Sequence, residues 1–137
     1  MTELIGSDGR EGASSELDKT AVREAVRTNS FDNLNRLAIG AIEVDKNGQI
    51  LEFSEAESEL SGLKPEETVG KNFFTEIATC TNYGEFIKNF NEIVEGKREE
   101  AVFDFLLTNL SPPQKVRVML KRSLIAQNYW IIIKRID

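Results

Sequence analysis

Apolar residues recur at helical spacing early in the chain and form a narrow stripe of Leu17, Ala21, Val22 and Ala25. Ser15 followed by Asp18 resembles a capping box, so this stretch is predicted to be helical. Because so narrow a stripe buries little apolar surface, we expect the helix to dock weakly on a larger body. Residues 1–14 mix glycine, serine and charge without periodicity and are expected to form a flexible lead. The short segment from Phe31 to Leu37 is more apolar and is expected to pack.

From Ala38 the pattern changes to the alternation that is typical of strands. The segments AIGAIEVD and QILEFS flank Asn47-Gly48, a dipeptide that favours a tight hairpin turn because both central residues need positive φ. The stretch that continues to Cys80 is rich in capping residues and glycine, and it predicts short helical turns and loops. The segment from Glu85 to Glu95 is amphipathic and predicts a helix that ends at Gly96.

Three further strands are predicted at Val102 to Leu107, Lys115 to Lys121 and Tyr129 to Arg135. Residues 111–113 must form a loop, because proline cannot donate a hydrogen bond into a sheet. Two strands, a helical middle and three strands favour one antiparallel sheet covered by helices on a face. The fold class predicted from the pattern is therefore α+β.

Composition excludes several classes of function. The 137 residues include no histidine and a single cysteine, which argues against His-dependent catalysis, an internal disulfide and a thiolate zinc site. Lys and Arg number 17 against 23 Asp and Glu, a net charge of -6, which argues against nucleic-acid binding and adhesion to anionic membranes. The first residues lack the pattern of a secretory signal, so we expect a cytoplasmic location.

Three features could carry chemistry. Cys80 is either a small buried apolar residue or a thiol that carries a group covalently. The glutamates at positions 55, 57 and 59 alternate along a helical stretch, so one or two at most can face inward. A buried one would stay protonated because desolvation raises its pKa, but the spacing does not choose among the three. Gly40 lies inside a predicted strand, where glycine marks a bulge or a close approach.

Three segments, LAIGAIEVDKNGQIL, VGKNFFTEIATCT and YWIIIKR, together resemble the photoactive yellow protein family of PAS-domain blue-light photoreceptors. The resemblance runs from about Phe31 to Arg135. It implies a PAS fold, with a central five-stranded antiparallel sheet flanked by helices. It also implies that residues 1–30 form a flexible lead and a weakly docked N-terminal helical cap, and that residues 31–137 form the photosensor domain.

The resemblance also assigns site residues. It implies that p-coumaric acid (4-hydroxycinnamic acid) is bound as a thioester to Cys80. Glu57 matches the family's buried acid, which is protonated in the dark and donates a hydrogen bond to the phenolate oxygen of this pigment. Ser61 matches a threonine of the family and keeps the hydroxyl group.

Two positions depart from the family pattern. Phe53 stands where the family has a tyrosine that donates a hydrogen bond to the phenolate. Leu63 stands where the family has an arginine that covers the pigment pocket. A hydrogen bond to a charged group contributes about 1.5–3 kcal/mol, so its loss at Phe53 is expected to raise the pKa of the pigment's phenol by roughly one to two units.

The resemblance implies a light receptor rather than an enzyme, in which the pigment isomerises, Glu57 gives up its proton and the N-terminal cap opens. The alternative is a pigment-free PAS-like module that binds a ligand or a protein, a hypothesis that Phe53 and Leu63 favour. A thiol enzyme using Cys80 is a weaker hypothesis. We expect a monomer or a weak dimer that acts on a downstream signalling protein, whose identity the sequence does not indicate.

Overall fold

The computed structural model describes residues 19–28, 30–124 and 126–136, and within these ranges five antiparallel strands form one sheet. Its spatial order is β2-β1-β5-β4-β3. The strands are β1 (Ile39–Val44), β2 (Ile50–Phe53), β3 (Glu100–Leu107), β4 (Gln114–Arg122) and β5 (Tyr129–Arg135). The predicted order of two strands, a helical middle and three strands is confirmed, and so is the α+β class.

The helices are short, as the sequence predicts for the middle of the chain. They are α1 (Lys19–Thr28), α2 (Asp32–Arg36), α3 (Glu55–Ser61), α4 (Pro65–Thr68) and α5 (Gly84–Val94). A π-helical turn (Phe73–Ile77) and a 3-10 turn (Thr79–Asn82) precede α5. The predicted capping box at Ser15 and Asp18, and the predicted flexible lead, lie outside the described residues.

Helices cover both faces of the sheet, whereas the sequence predicted helices on one face. The inner face packs against α5 and the turns before it, and it contains Ile131 and Ile133 of β5. The outer face packs against α1 and α2, and it contains Trp130 and Ile132. Because β5 is a central strand buried on both sides, it has a continuous apolar run instead of alternation.

The connection between β1 and β2 differs from the predicted tight turn. It spans Asp45 to Gln49, and of the Asn47-Gly48 pair only Gly48 takes a positive φ, of 90°. The side chain of Asp45 organises this loop, since its Oδ1 accepts hydrogen bonds from the backbone nitrogens of Asn47 at 2.8 Å and Gln49 at 3.0 Å. The predicted hairpin is confirmed, since β1 and β2 pair antiparallel, but the expected positive φ at Asn47 is not found. An aspartate that bonds to the backbone two residues ahead stabilises the longer loop instead.

Candidate functional site

Glu57 is positioned by the first turn of α3. Ser54 precedes this helix, and its Oγ accepts hydrogen bonds from the backbone nitrogens of Glu57 at 3.2 Å and of Ala41 at 2.9 Å. A serine in this position satisfies a helix N–H group that has no partner within the helix. Because Ala41 belongs to β1, the same hydroxyl group also fastens the start of α3 to the sheet.

Gly40 allows α3 to lie close to the inner face of the sheet. A Cβ atom at this position would lie 2.1 Å from Oε1 of Glu57 and 3.0 Å from its Cα. No other residue type fits without displacing the helix or the carboxyl group. Of the two alternatives considered for this glycine, the structure therefore shows a close approach.

Glu57 is the glutamate of the three that faces inward. Its side chain is 4% exposed, whereas Glu55 and Glu59 are exposed. Burial raises the pKa of Glu57 to about 8, because desolvation disfavours the charged carboxylate. Its Oε1 is buried without a hydrogen-bond partner among the described residues. The carboxyl group is therefore neutral at pH 7 and has a polar atom available for a ligand.

A cavity of about 20 Å³ lies beside Glu57 on the inner side of the sheet. Its walls are mostly apolar, and they include Phe53, Leu63 and Leu110. The polar residues in the wall are Glu57, Ser61 and Asn109. The cavity therefore combines an apolar lining with a few converging polar groups, as small-molecule sites do.

Cys80 is partly buried and packs against the apolar cluster that also forms much of the cavity wall. It lies in the 3-10 turn, two residues after Ala78 of the wall. Its Sγ donates a hydrogen bond to Oδ1 of Asn109 at 3.2 Å. The thiol is therefore connected to the cavity through a residue of its wall.

Cys80 itself is not among the residues that line the cavity, whereas the remaining predicted site residues are. Phe53 is buried at 7% exposure and, as the sequence requires, brings no hydroxyl group. Ser61 and Leu63 are partly buried. Oγ of Ser61 accepts a hydrogen bond from the backbone nitrogen of Leu63 at 3.1 Å, which leaves the hydroxyl hydrogen free to donate. The structure places these residues together; their roles towards a pigment stay predictions.

Asn109 is the member of the site that sequence reasoning missed. It comes from the connection between β3 and β4, where a polar residue is ordinarily an exposed loop residue. Nothing in the periodicity of the strands distinguishes it, because its contact with Cys80 spans 29 positions of the sequence.

Comparison with known proteins identifies the family. A family model for the PAS fold matches residues 32–127. The photoactive yellow protein of Halochromatium salexigens is 35% identical over 115 residues, which cover 84% of this chain and 92% of that protein. The photoactive yellow protein of Rhodothalassium salexigens is 41% identical over 103 residues, which cover 75% and 82%. The chain belongs to the photoactive yellow protein family of PAS domains.

A solved structure of the photoactive yellow protein family supports the same conclusion. The photoactive yellow protein domain of the sensor histidine kinase Ppr from Rhodospirillum centenum superposes with a TM-score of 0.73 at 34% identity. The match covers 82% of this chain and 98% of that domain. The predicted family and PAS fold are thus confirmed. Within the described residues, no helix is long and apolar enough to span a membrane.

Membership of the photoactive yellow protein family implies a chromophore, and the residues present suit an aromatic group that ends in an oxygen by their chemistry, although the cavity of about 20 Å³ is smaller than such a group. The apolar wall suits a ring. The buried Oε1 of Glu57 lacks the partner that such an oxygen would supply. Cys80 offers a thiol for covalent attachment close to the same wall.

Proposed function

We propose that this chain is a blue-light photoreceptor in which Cys80 carries p-coumaric acid as a thioester. The observation that supports this most is the unpartnered, buried Oε1 of Glu57 in the wall of an apolar cavity near the thiol. A carboxyl group is expensive to bury without a hydrogen-bond partner. A phenolate oxygen in the cavity would give Glu57 that partner.

Attachment to Cys80 is an acyl transfer. The S–H bond of Cys80 and the bond between the acyl carbon and the leaving group of an activated p-coumaroyl donor would break, a bond would form between Sγ and the acyl carbon, and the leaving group would take the proton. The chain has no histidine to act as a base. A single attachment per molecule does not depend on one, so we propose a sensory role rather than an enzymatic one.

Glu57 is suited to hold a proton next to an anionic oxygen. With its pKa raised to about 8 by burial, it is neutral at pH 7 and can donate a hydrogen bond. Hydrogen bonds to a charged acceptor are about twice as strong as neutral ones. One buried negative charge is also more stable when delocalised over a phenolate than when localised on a carboxylate.

When bound, the p-coumaroyl group supplies the absorption of blue light and the trans-to-cis isomerisation of its double bond. Glu57 would then be the group that gives a proton to the oxygen it had been hydrogen-bonded to. The resulting carboxylate has no cationic partner among the described residues, and such a buried charge is strongly destabilising. Local opening relieves this cost, and we propose that α1 is the element released as the signal.

Infrared difference spectroscopy of the pigmented protein tests the proton transfer. Illumination should remove the C=O stretching band of a protonated carboxyl group from wild type and from Glu59→Gln, whose replaced side chain is exposed. Glu57→Gln should lack this negative band. A band that persists in Glu57→Gln would mean that another group supplies the proton and would contradict the mechanism.

One observation favours the alternative of a pigment-free PAS module. The cavity of about 20 Å³ has room for about one water molecule, so a p-coumaroyl group enters only if wall residues move. Leu60, Leu63 and Leu110 are all partly buried side chains of this wall. The pigment-free module predicts that the folded protein takes up no p-coumaroyl group at Cys80.

A further inference from the structure

The connection between β3 and β4, residues 108–113, forms part of the cavity wall. It is referred to below as the β3–β4 loop. Leu110 is partly buried in the wall, and Asn109 lines the cavity beside it. Asn109 and the remaining residues of the loop are exposed, and Leu110 alone is partly buried. Movement of this loop would therefore enlarge the cavity without disturbing the sheet.

Asn109 makes the two hydrogen bonds that join this loop to other elements in the described part of the chain. Its Nδ2 donates to the carbonyl oxygen of Ile77 at 3.4 Å, and its Oδ1 accepts from Sγ of Cys80 at 3.2 Å. The carbonyl oxygen of Ile77 can only accept a hydrogen bond, so it must face the NH₂ group of the Asn109 amide and not its oxygen. Oδ1 is thereby directed at the thiol.

Only a free thiol can make this contact. A thiol carries a hydrogen that it can donate, whereas the sulfur of a thioester carries none. Acylation of Cys80 therefore removes the donor and leaves Oδ1 facing a sulfur that cannot bond to it. One of the two hydrogen bonds that hold the β3–β4 loop is lost in the same reaction that attaches the pigment.

We propose that Asn109 is a positioning residue for pigment attachment, which holds the β3–β4 loop against the cavity while Cys80 is a free thiol. Acylation releases the loop, and Leu110 moves outward with it to make room. The inference rests on the proposed function for its biological meaning. The contact itself and its effect on the loop are properties of the unpigmented protein.

Amide hydrogen exchange of the β3–β4 loop in the unpigmented protein tests this inference. Cys80→Ala removes the donor and should raise the exchange rates of the loop amides by about two- to tenfold, the range expected for one hydrogen bond. Cys80→Ser keeps a hydroxyl donor and should hold the rates closer to those of wild type. Asn109→Leu, of similar size but without polar atoms, removes both hydrogen bonds of the loop and should raise the rates at least as much as Cys80→Ala does.

Two further comparisons separate this role from a general loss of structure. Thr108→Val changes an exposed neighbour in the same loop and should exchange like wild type. The double variant with Cys80→Ala and Asn109→Leu should exchange no faster than Asn109→Leu alone, because that substitution already removes both hydrogen bonds of the loop. Equal rates in wild type, Cys80→Ala and Asn109→Leu would overturn the inference, and so would additive effects in the double variant.

A vibrational measurement keeps the inference testable if Asn109→Leu does not fold. The S–H stretching band of Cys80 should move to higher frequency when the acceptor is removed. Asn109→Asp places a stronger acceptor at the same position and should move it to lower frequency. If the S–H band of Cys80 were unshifted in both variants, the contact would be contradicted. If only Asn109→Asp folds, an unshifted band in that variant would contradict it. Because no measurement here uses pigment, failure of pigment attachment alone would affect the proposed function and not this result.

Discussion

At the residue scale, the buried carboxyl group of Glu57 should make stability depend on pH. Its pKa is about 8 in the folded chain against an ordinary value of 4.5. Between these values the unfolded chain has lost the proton while the folded chain keeps it. The free energy of unfolding should therefore fall as pH rises from 4.5 to 8, and should be highest below 4.5 as far as this group is concerned.

Denaturant unfolding of the unpigmented protein at several pH values measures this dependence. Glu57→Gln should flatten the decline, whereas Glu59→Gln, an exposed position on the same helix, should leave it unchanged. Burial also raises the pKa of Glu43. Its contribution to the pH dependence of stability has the same sign in wild type, Glu57→Gln and Glu59→Gln. If the free energy of unfolding of Glu57→Gln declined with pH as steeply as that of wild type, Glu57 would not hold its proton in the folded chain.

Phe53 supports a second prediction at this scale, for the pigmented protein. Its side chain lines the cavity but cannot donate a hydrogen bond. Phe53→Tyr should restore a donor and lower the pKa of the pigment's phenol by roughly one to two units. Absorbance recorded against pH measures this value, and the wild-type spectrum should be shifted or split towards shorter wavelength. Equal apparent pKa values in the two proteins would show that Ser61 or another group already supplies the donor.

The sequence indicated the residue types of the site but not their arrangement. Alternation of Glu55, Glu57 and Glu59 showed only that one or two of them could be buried, and the choice of Glu57 came from family resemblance. The structure gives the physical reason, which is that Gly40 leaves room for this carboxyl group alone. Asn109 was not predictable, since a contact between distant loops leaves no local pattern.

At the scale of elements, three buried side chains within the described residues of α1 pack on the outer face of the sheet. Val22, Ala25 and Val26 are buried, and they pack in one cluster with Trp130. Near the exposed surface, Arg23 forms an ion pair with Glu100 of β3 at 3.0 Å, and such pairs contribute about 0–1 kcal/mol. How firmly α1 docks stays a prediction, and the proposed signal depends on it.

Val22→Asp should release α1 while the sheet remains folded, because a charge cannot be buried there without a partner. Trp130 is the only tryptophan of the chain, so its fluorescence should shift to longer wavelength as water reaches it. Thr20→Asp introduces the same charge at an exposed position and should leave the spectrum unchanged. Global unfolding in Val22→Asp would show that α1 is an integral part of the fold and would contradict its proposed release.

The elements themselves were largely predictable, and the errors have physical causes. The strand around Val116 and Val118 was found because its inward-facing residues are buried, whereas its outer face, although Met119 is buried there, is partly exposed at Arg117 and Lys121. The loop after β1 was mistaken for a tight turn because the bonding of Asp45 to the backbone competes with the preference of Asn47-Gly48. In the sequence, the only sign that helices cover both faces of the sheet was the continuous apolar run of β5.

At the scale of the whole molecule, the site and α1 lie on opposite faces of the sheet. Two contacts connect them. Ser54 bonds to the nitrogens of both Glu57 and Ala41, and the side chain of Ala41 belongs to the outer cluster that α1 joins. Asn35 of α2 accepts a hydrogen bond from the backbone nitrogen of Ala56 in α3 at 3.0 Å. A change in the position of α3 can therefore reach the helices on the far side through bonded neighbours.

The whole account depends on pigment attachment to Cys80, and reconstitution measures this directly. The purified, unpigmented protein is mixed with p-coumaric anhydride, and the product is examined by peptide mass spectrometry and visible absorption. We predict one p-coumaroyl group on Cys80 together with a visible absorption band, and neither in Cys80→Ser. A folded protein whose thiol reacts with iodoacetamide but takes up no p-coumaroyl group and stays colourless would contradict the account.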